Sequence, residues 1–101
     1  MQHNYFVYIT TNPDKTVLYV GITIDIKRRL FEHLENKGKN TTFAGKYFCY
    51  NLIYFERFQF IEHAIEREKH IKNWSRKKKE FIIEKENPNW HFLNDEIFKN
   101  D

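Results

Sequence analysis

Two short runs of aromatic and β-branched residues, Tyr5-Phe6-Val7-Tyr8-Ile9-Thr10 and Thr16-Val17-Leu18-Tyr19-Val20-Gly21-Ile22, flank Asn12-Pro13-Asp14-Lys15. Such side chains suit a pleated, half-buried ribbon, and the residues between them are those that reverse a chain, so the segment predicts a β-hairpin. A turn centred on Pro13-Asp14 places Tyr8 directly across from Tyr19, with both phenols on one face.

The pattern changes at Asp25. Ile26, Leu30 and Leu34 recur at every fourth position, Thr23 or Asp25 can cap the start, and Gly38 follows the end. This predicts a helix of about three turns. At about 100° per residue, Arg29 and His33 fall beside Ile26 at the edge of the apolar stripe, whereas Arg28 projects toward water. The polar, glycine-containing stretch from Asn36 to Gly45 reads as a loop, and Asn51 to Phe58 regains strand composition.

A second helix is expected from near Phe60, with Ile61, Ala64, Ile65, Ile71 and Trp74 at helical spacing and Glu68 inside their stripe. Ser75 can cap a further helix, Arg76 to about Glu84, that carries Phe81 and Ile82 and is broken by Asn87-Pro88. No element is assigned from Asn89 to Asp101. The expected architecture is α+β, a small three-stranded antiparallel sheet flanked by three or more helices. Its 101 residues suit a single domain over 1–101, with the core at about 5–90.

Several classes are set aside. Apolar runs such as Val17 to Ile22 stop far short of the roughly 20 residues that cross a bilayer. Met1-Gln2-His3-Asn4 has no basic stretch leading into an apolar segment, so no secretory leader is read and a cytoplasmic protein is expected. The single cysteine, Cys49, sits between Phe48 and Tyr50 and reads as a buried structural thiol. His63 and His70 lack zinc-ligand spacing. The net charge is only +3, but the basic residues cluster at Lys27-Arg28-Arg29 and Arg76-Lys77-Lys78-Lys79. Lys27, Arg28, Arg76, Lys77 and Lys79 of these clusters, together with Lys46, are candidates for contacts to nucleic acid, with DNA as the expected partner; for the second cluster a solvated helix face is the competing reading.

Glu68 carries the most chemical information. An ionised carboxylate on a buried helix face is costly unless it meets a positive charge. One solution is structural: an ion pair with Arg29 or another basic residue, or a helix rotated enough to expose Glu68. The other is a single Mg²⁺ or Mn²⁺ ion completed by waters and substrate phosphate. Tyr8 and Tyr19, with an ordinary pKa of about 10, are poor bases near neutrality. Lowering a phenol by about three units takes on the order of 4 kcal/mol, which a nearby Arg29 and a metal-bound water could supply. His33, one turn beyond Arg29, could hydrogen-bond a tyrosine hydroxyl or a phosphate, or be structural. Gly21 either admits a phosphate or the following helix, or is a simple turn glycine.

In order and spacing, Phe6-Val7-Tyr8, Tyr19-Val20-Gly21, Arg29, His33 and Ile65-Glu66-Arg67-Glu68 resemble the GIY-YIG endonuclease family. Leu18 to Thr23, Arg28-Arg29 with His33, and Glu66 to Arg76 are similar to its small stand-alone bacterial branch. The resemblance implies the GIY-YIG fold and hydrolysis of nucleic-acid phosphodiesters, as in DNA repair or recombination. It implies Tyr8 as general base, Tyr19 positioning water or phosphate, Arg29 stabilising charge, His33 assisting the tyrosines and Glu68 holding the metal. Asn87 is matched to the family's late asparagine. Two departures stand out: the first triplet is Phe6-Val7-Tyr8 instead of Gly-Ile-Tyr, and Thr41 to Tyr47 lacks an arginine-rich stretch. The expected function is a metal-dependent endonuclease of low sequence specificity. The alternatives are a nucleic-acid-binding module without chemistry, and a protein-interaction domain using Trp90 or Phe92.

Overall fold

The computed structural model describes residues 3–99; Met1, Gln2, Asn100 and Asp101, on which the leader and tail expectations partly rest, lie outside the described residues. The elements are β1 (Tyr5–Thr11), β2 (Leu18–Thr23), α1 (Ile26–Glu35), α2 (Phe43–Lys46), β3 (Asn51–Phe58), α3 (Ile61–Asn73), α4 (Arg76–Glu86) and α5 (Asn94–Lys99). The strands form an antiparallel sheet in the order β2-β1-β3, the α+β arrangement expected from the sequence. Among the described residues no helix is long and apolar enough to cross a membrane.

The hairpin register departs from the expected one. Tyr8 pairs with Gly21, and Tyr19 pairs with Thr10. The cause is a turn longer than Pro13-Asp14 alone. Asn12 Oδ1 accepts from the backbone N–H groups of Thr16 at 2.8 Å and Val17 at 2.9 Å, and Lys15 adopts a left-handed φ of 60°. Side chains alternate with a period of two, so a slip of two residues leaves every side chain on its original face. Tyr8 and Tyr19 thus remain on one face as diagonal neighbours, with ring centroids 6.2 Å apart.

The two faces have separate cores. Val7, Ile9, Val20, Ile53 and Tyr54 pack with Ala64, Ile71 and Ile83 of α3 and α4, and Tyr8 and Leu52 pack with Ile26 and Leu30 of α1. A bulge between Ile9 and Thr10 lets the successive residues Ile53 and Tyr54 join one layer. Burying an isoleucine contributes roughly 1.5–3 kcal/mol, so Ile9, Ile53, Ile71 and Ile83 each add substantially to the first layer. Ile61 and Ile65 do not join it; beside Ile22 and Ile24, at the end of β2, they line an open groove. On α4, Phe81 is exposed and Ile83 is the buried anchor.

Local chemistry sets the helix ends. Asp25 accepts from the N–H of Arg28, Thr42 from that of Gly45, and Ser75 from that of Lys78, satisfying groups that a first turn leaves unpaired. The Thr42 cap starts α2 inside the stretch expected to be a loop. The last described segment is stitched to β3: Leu93 N–H donates to the Leu52 carbonyl at 2.7 Å, and Asn94 accepts from Leu52 N–H at 2.7 Å and donates to the Tyr50 carbonyl at 2.9 Å. Across the sheet, the Arg67 guanidinium forks onto Glu56 at 2.9–3.1 Å and ties α3 to β3.

Candidate functional site

β1 carries Tyr8 on the face covered by α1, and α1 sends Arg29 and His33 toward it from successive turns. The Tyr8 ring is fully buried, and its hydroxyl lies 2.8 Å from His33 Nε2 and 3.2 Å from Arg29 Nε. Arginine only donates, so the phenol accepts from Arg29 and its own proton is free to go to His33. Burial, with the Arg29 charge adding to it, pushes the His33 imidazole down to about 4. A neutral ring has one accepting nitrogen, which assigns Nε2 as acceptor and places the imidazole proton on Nδ1. Tyr19 completes the group, its ring 5.5 Å from that of His33 and tilted edge-on to it.

The electrostatics correct one expectation. Burial, followed by the neighbouring Tyr19, raises the Tyr8 phenol above its ordinary range, and the hydrogen bond and charge of Arg29 only partly oppose this. Tyr8 therefore stands as a protonated donor, not as a phenol lowered toward neutrality. Burial opposes the Arg29 charge, but its hydrogen bonds to Tyr8 and Glu32 outweigh that and hold the guanidinium more firmly charged than usual. Glu32 accepts from Arg29 Nη1 at 3.1 Å.

The depressed His33 pKa makes stability depend on pH. Between about 6.5 and about 4 the unfolded chain binds a proton at this residue that the folded chain does not. Stability from His33 is fully present above about 6.5 and is lost as pH falls toward 4, by on the order of 1–3 kcal/mol after allowance for solvent screening. Denaturant melts of wild type and His33→Gln across this window should converge at low pH; parallel curves would count against the buried neutral imidazole.

Gly21 has a role that neither earlier alternative gave it. A Cβ there would lie 2.5 Å from Tyr8 Cζ and its hydroxyl oxygen and 2.9 Å from Tyr19 Cε2. The missing side chain leaves the space in which the Tyr8 ring sits. Gly21→Ala should cost about 1–3 kcal/mol through overpacking, visible as a lower denaturation midpoint, and should displace the Tyr8 hydroxyl from His33.

Glu68, Asn87 and Arg76 bond to other partners than this group. Glu68 belongs to α3, which packs on the opposite face of the sheet across β1 and β2. Its carboxylate, with the side chain 14% exposed, pairs with Lys72 Nζ at 2.7 Å, the ion-pair solution in a form that uses Lys72 instead of Arg29. Asn87 is not brought to the tyrosines. It caps α4, its amide nitrogen donating to the carbonyls of Ile53 at 3.0 Å and His91 at 2.9 Å while its oxygen accepts from His91 N–H at 3.0 Å. Arg76 is also engaged, donating to the carbonyls of Thr16 at 2.7 Å and Lys15 at 3.0 Å and pairing with Glu80 at 3.0 Å. Lys79 is half-buried, and burial with the nearby Arg76 lowers its pKa. Arg28 and Lys77 are exposed and Lys27 is half-buried beside Arg28; Lys46 Nζ sits 5.4 Å from the centre of the Tyr47 ring. Cys49 is buried, and burial pushes its thiol up to about 11, as suits a structural residue. The sequence argument missed Phe43, in the stretch read as polar loop, and Tyr47, just beyond it, which extend the aromatic group outward from Tyr19.

Among the described residues, no three His, Cys, Asp or Glu side chains converge in a way that could hold a metal ion. A centre ligated wholly by protein does not fit the described residues. A hard cation held by one carboxylate, with water and phosphate supplying the other oxygens, fits the chemistry of Glu68.

Residues 4–81 match the model of the GIY-YIG catalytic domain, a span that includes Tyr8, Tyr19, Arg29, His33 and Glu68 but not Asn87. A UPF0213 protein of Bacillus pumilus is 36% identical over 83 residues, covering 82% of each chain. One from Haloquadratum walsbyi is 34% identical over 84 residues, covering 83% of this chain and 91% of that one. The solution structure of a UPF0213 protein from Bacillus halodurans superposes with a TM-score of 0.54 at 32% identity, over 86% of this chain and 89% of that one.

Proposed function

This chain belongs to the GIY-YIG family of nuclease domains, and we propose that it is a divalent-metal-dependent endonuclease that hydrolyses DNA with little sequence specificity. The observation that carries this reading is the chain from the half-buried Arg29 through the buried Tyr8 hydroxyl to His33 Nε2, with spacings of 3.2 and 2.8 Å. A charged donor, a phenol and a neutral imidazole in line form a relay that can accept a proton at one end while stabilising negative charge nearby.

In this mechanism water attacks phosphorus and a P–O ester bond breaks. The water's proton passes to the Tyr8 oxygen as the Tyr8 proton moves to His33 Nε2, and the leaving oxygen takes up a proton from solvent. Arg29 faces the charge that develops on the phosphoryl oxygens, and Tyr19 orients phosphate or water. Glu68 would hold Mg²⁺ or Mn²⁺, which when bound supplies Lewis-acid stabilisation of the phosphate; Lys72 must then release the carboxylate. Arg28, Lys77 and Lys46 are left for backbone phosphates, which position a substrate without reading its sequence.

The ion pair of Glu68 with Lys72 favours a second reading, a module of the same fold that binds nucleic acid without cutting it. Labelled duplex, single-stranded and branched DNA, and RNA, incubated with Mg²⁺, Mn²⁺ or EDTA, separate the two. Metal-dependent products that disappear in Tyr8→Phe and Glu68→Gln support the nuclease. Salt-sensitive binding without products supports the module.

A further inference from the structure

The helix α2 exposes aromatic surface directly beside the candidate site. Phe43 is 51% exposed and Tyr47 40% exposed, although rings of this size usually drive burial. The Tyr19 and Phe43 rings lie 6.3 Å apart, with planes 25° from parallel, and the Phe43 and Tyr47 rings lie 4.7 Å apart. A ladder of rings thus runs from the Tyr8–His33 pair to the surface, where the Lys46 ammonium sits 5.4 Å from the centre of the Tyr47 ring. The ladder is mounted on a fixed turn. Thr42 caps it, and Gly45 is packed so closely that a Cβ would lie 2.6 Å from the Asn36 carbonyl oxygen and 2.7 Å from that of Lys39.

We propose that Tyr19, Phe43 and Tyr47, flanked by Lys46, form a stacking platform for an unpaired strand of DNA, so that this protein prefers substrates with a single-stranded segment beside the phosphate to be cut. The placement of that phosphate rests on the nuclease reading; the platform itself does not. Unpaired bases offer the π-faces that stacked duplex bases conceal, and an adjacent cation answers the phosphate that accompanies each base. Continuity with Tyr19 assigns the surface to the same strand that reaches the buried relay. The aromatic residues occupy the stretch that lacks arginine, so stacking does there what charge would do elsewhere.

The test is fluorescence anisotropy of labelled oligo-dT, blunt duplex and oligo-U with the full chain in EDTA, where metal-dependent cleavage cannot interfere. Wild type should bind oligo-dT more tightly than the other two. The double variant Phe43→Leu/Tyr47→Leu keeps apolar volume but loses the π-faces, and should weaken oligo-dT binding about 5- to 100-fold with an unchanged circular dichroism spectrum. Phe43→Trp, with a larger face, should bind at least as tightly as wild type. Unchanged affinity in the double variant, weaker binding by Phe43→Trp, or a wild-type preference for duplex or oligo-U would overturn the proposal. Retained single-strand binding by a protein that cuts nothing would sink the nuclease reading and uphold this one.

Discussion

Tyr8→Phe should cut DNA about 10²–10⁴-fold more slowly than wild type, the range expected when a positioned proton-transfer group is removed. The substitution takes away one oxygen and leaves a ring that fits the space above Gly21. That oxygen bonds both Arg29 and His33, at 3.2 and 2.8 Å, so both ends lose a partner at once. Leaving His33 Nε2 unpaired in its buried setting should also cost about 1–3 kcal/mol of stability. Single-turnover rates measured well below the melting temperature separate the two effects. A variant that folds less stably but cuts at the wild-type rate would remove Tyr8 from the chemistry and leave it as a packing residue.

Glu68→Gln should lower metal-dependent cleavage about 10³-fold or more, since a Lewis acid at the phosphate supplies several kcal/mol of transition-state stabilisation. The structural cost should be small. The ion pair with Lys72 joins residues one turn apart on α3, and the lysine side chain is 50% exposed, so its loss should cost about 0.3–0.5 kcal/mol. The contrast is the useful part: activity collapses while the denaturation midpoint barely moves. Rates in Glu68→Gln matching wild type at every Mg²⁺ concentration would leave the carboxylate no role beyond its pairing with Lys72.

The parts of this fold legible in the sequence are those set by local chemistry. The span of β3 and the start of α1 follow from composition and caps, and both agree with the structure. The hairpin register did not, because it depends on the Asn12 side chain bonding forward to Thr16 and Val17, a choice that composition leaves open. The shared face of Tyr8 and Tyr19 survived because the slip was even. At the site, helical spacing sufficed to bring Arg29 and His33 toward Tyr8. It could not foresee that burial would outweigh Arg29 and keep the phenol protonated, since that balance depends on how completely the site closes. In the sequence Glu68 reads as lying inside a buried apolar stripe; the structure leaves its side chain 14% exposed and pairs it with Lys72, one turn along the same helix, while Ile61 and Ile65 of that stripe stay exposed. Phe43 and Tyr47 escaped notice because a helix as short as α2 has little periodicity to read, and the contact that gives them meaning spans from Tyr19 to Phe43.

The stitching of Leu93 and Asn94 onto β3 has a consequence for behaviour in solution. A sheet ends in rows of unsatisfied amides and carbonyls that can recruit another strand and begin a fibre. Here the near half of the outer β3 border is already occupied by the chain's own later residues at Leu52, while Glu56 and Arg57 charge the remainder. The segment that leads into α5 thus acts as a selvedge on the β3 side, closing that part of the border to an incoming strand.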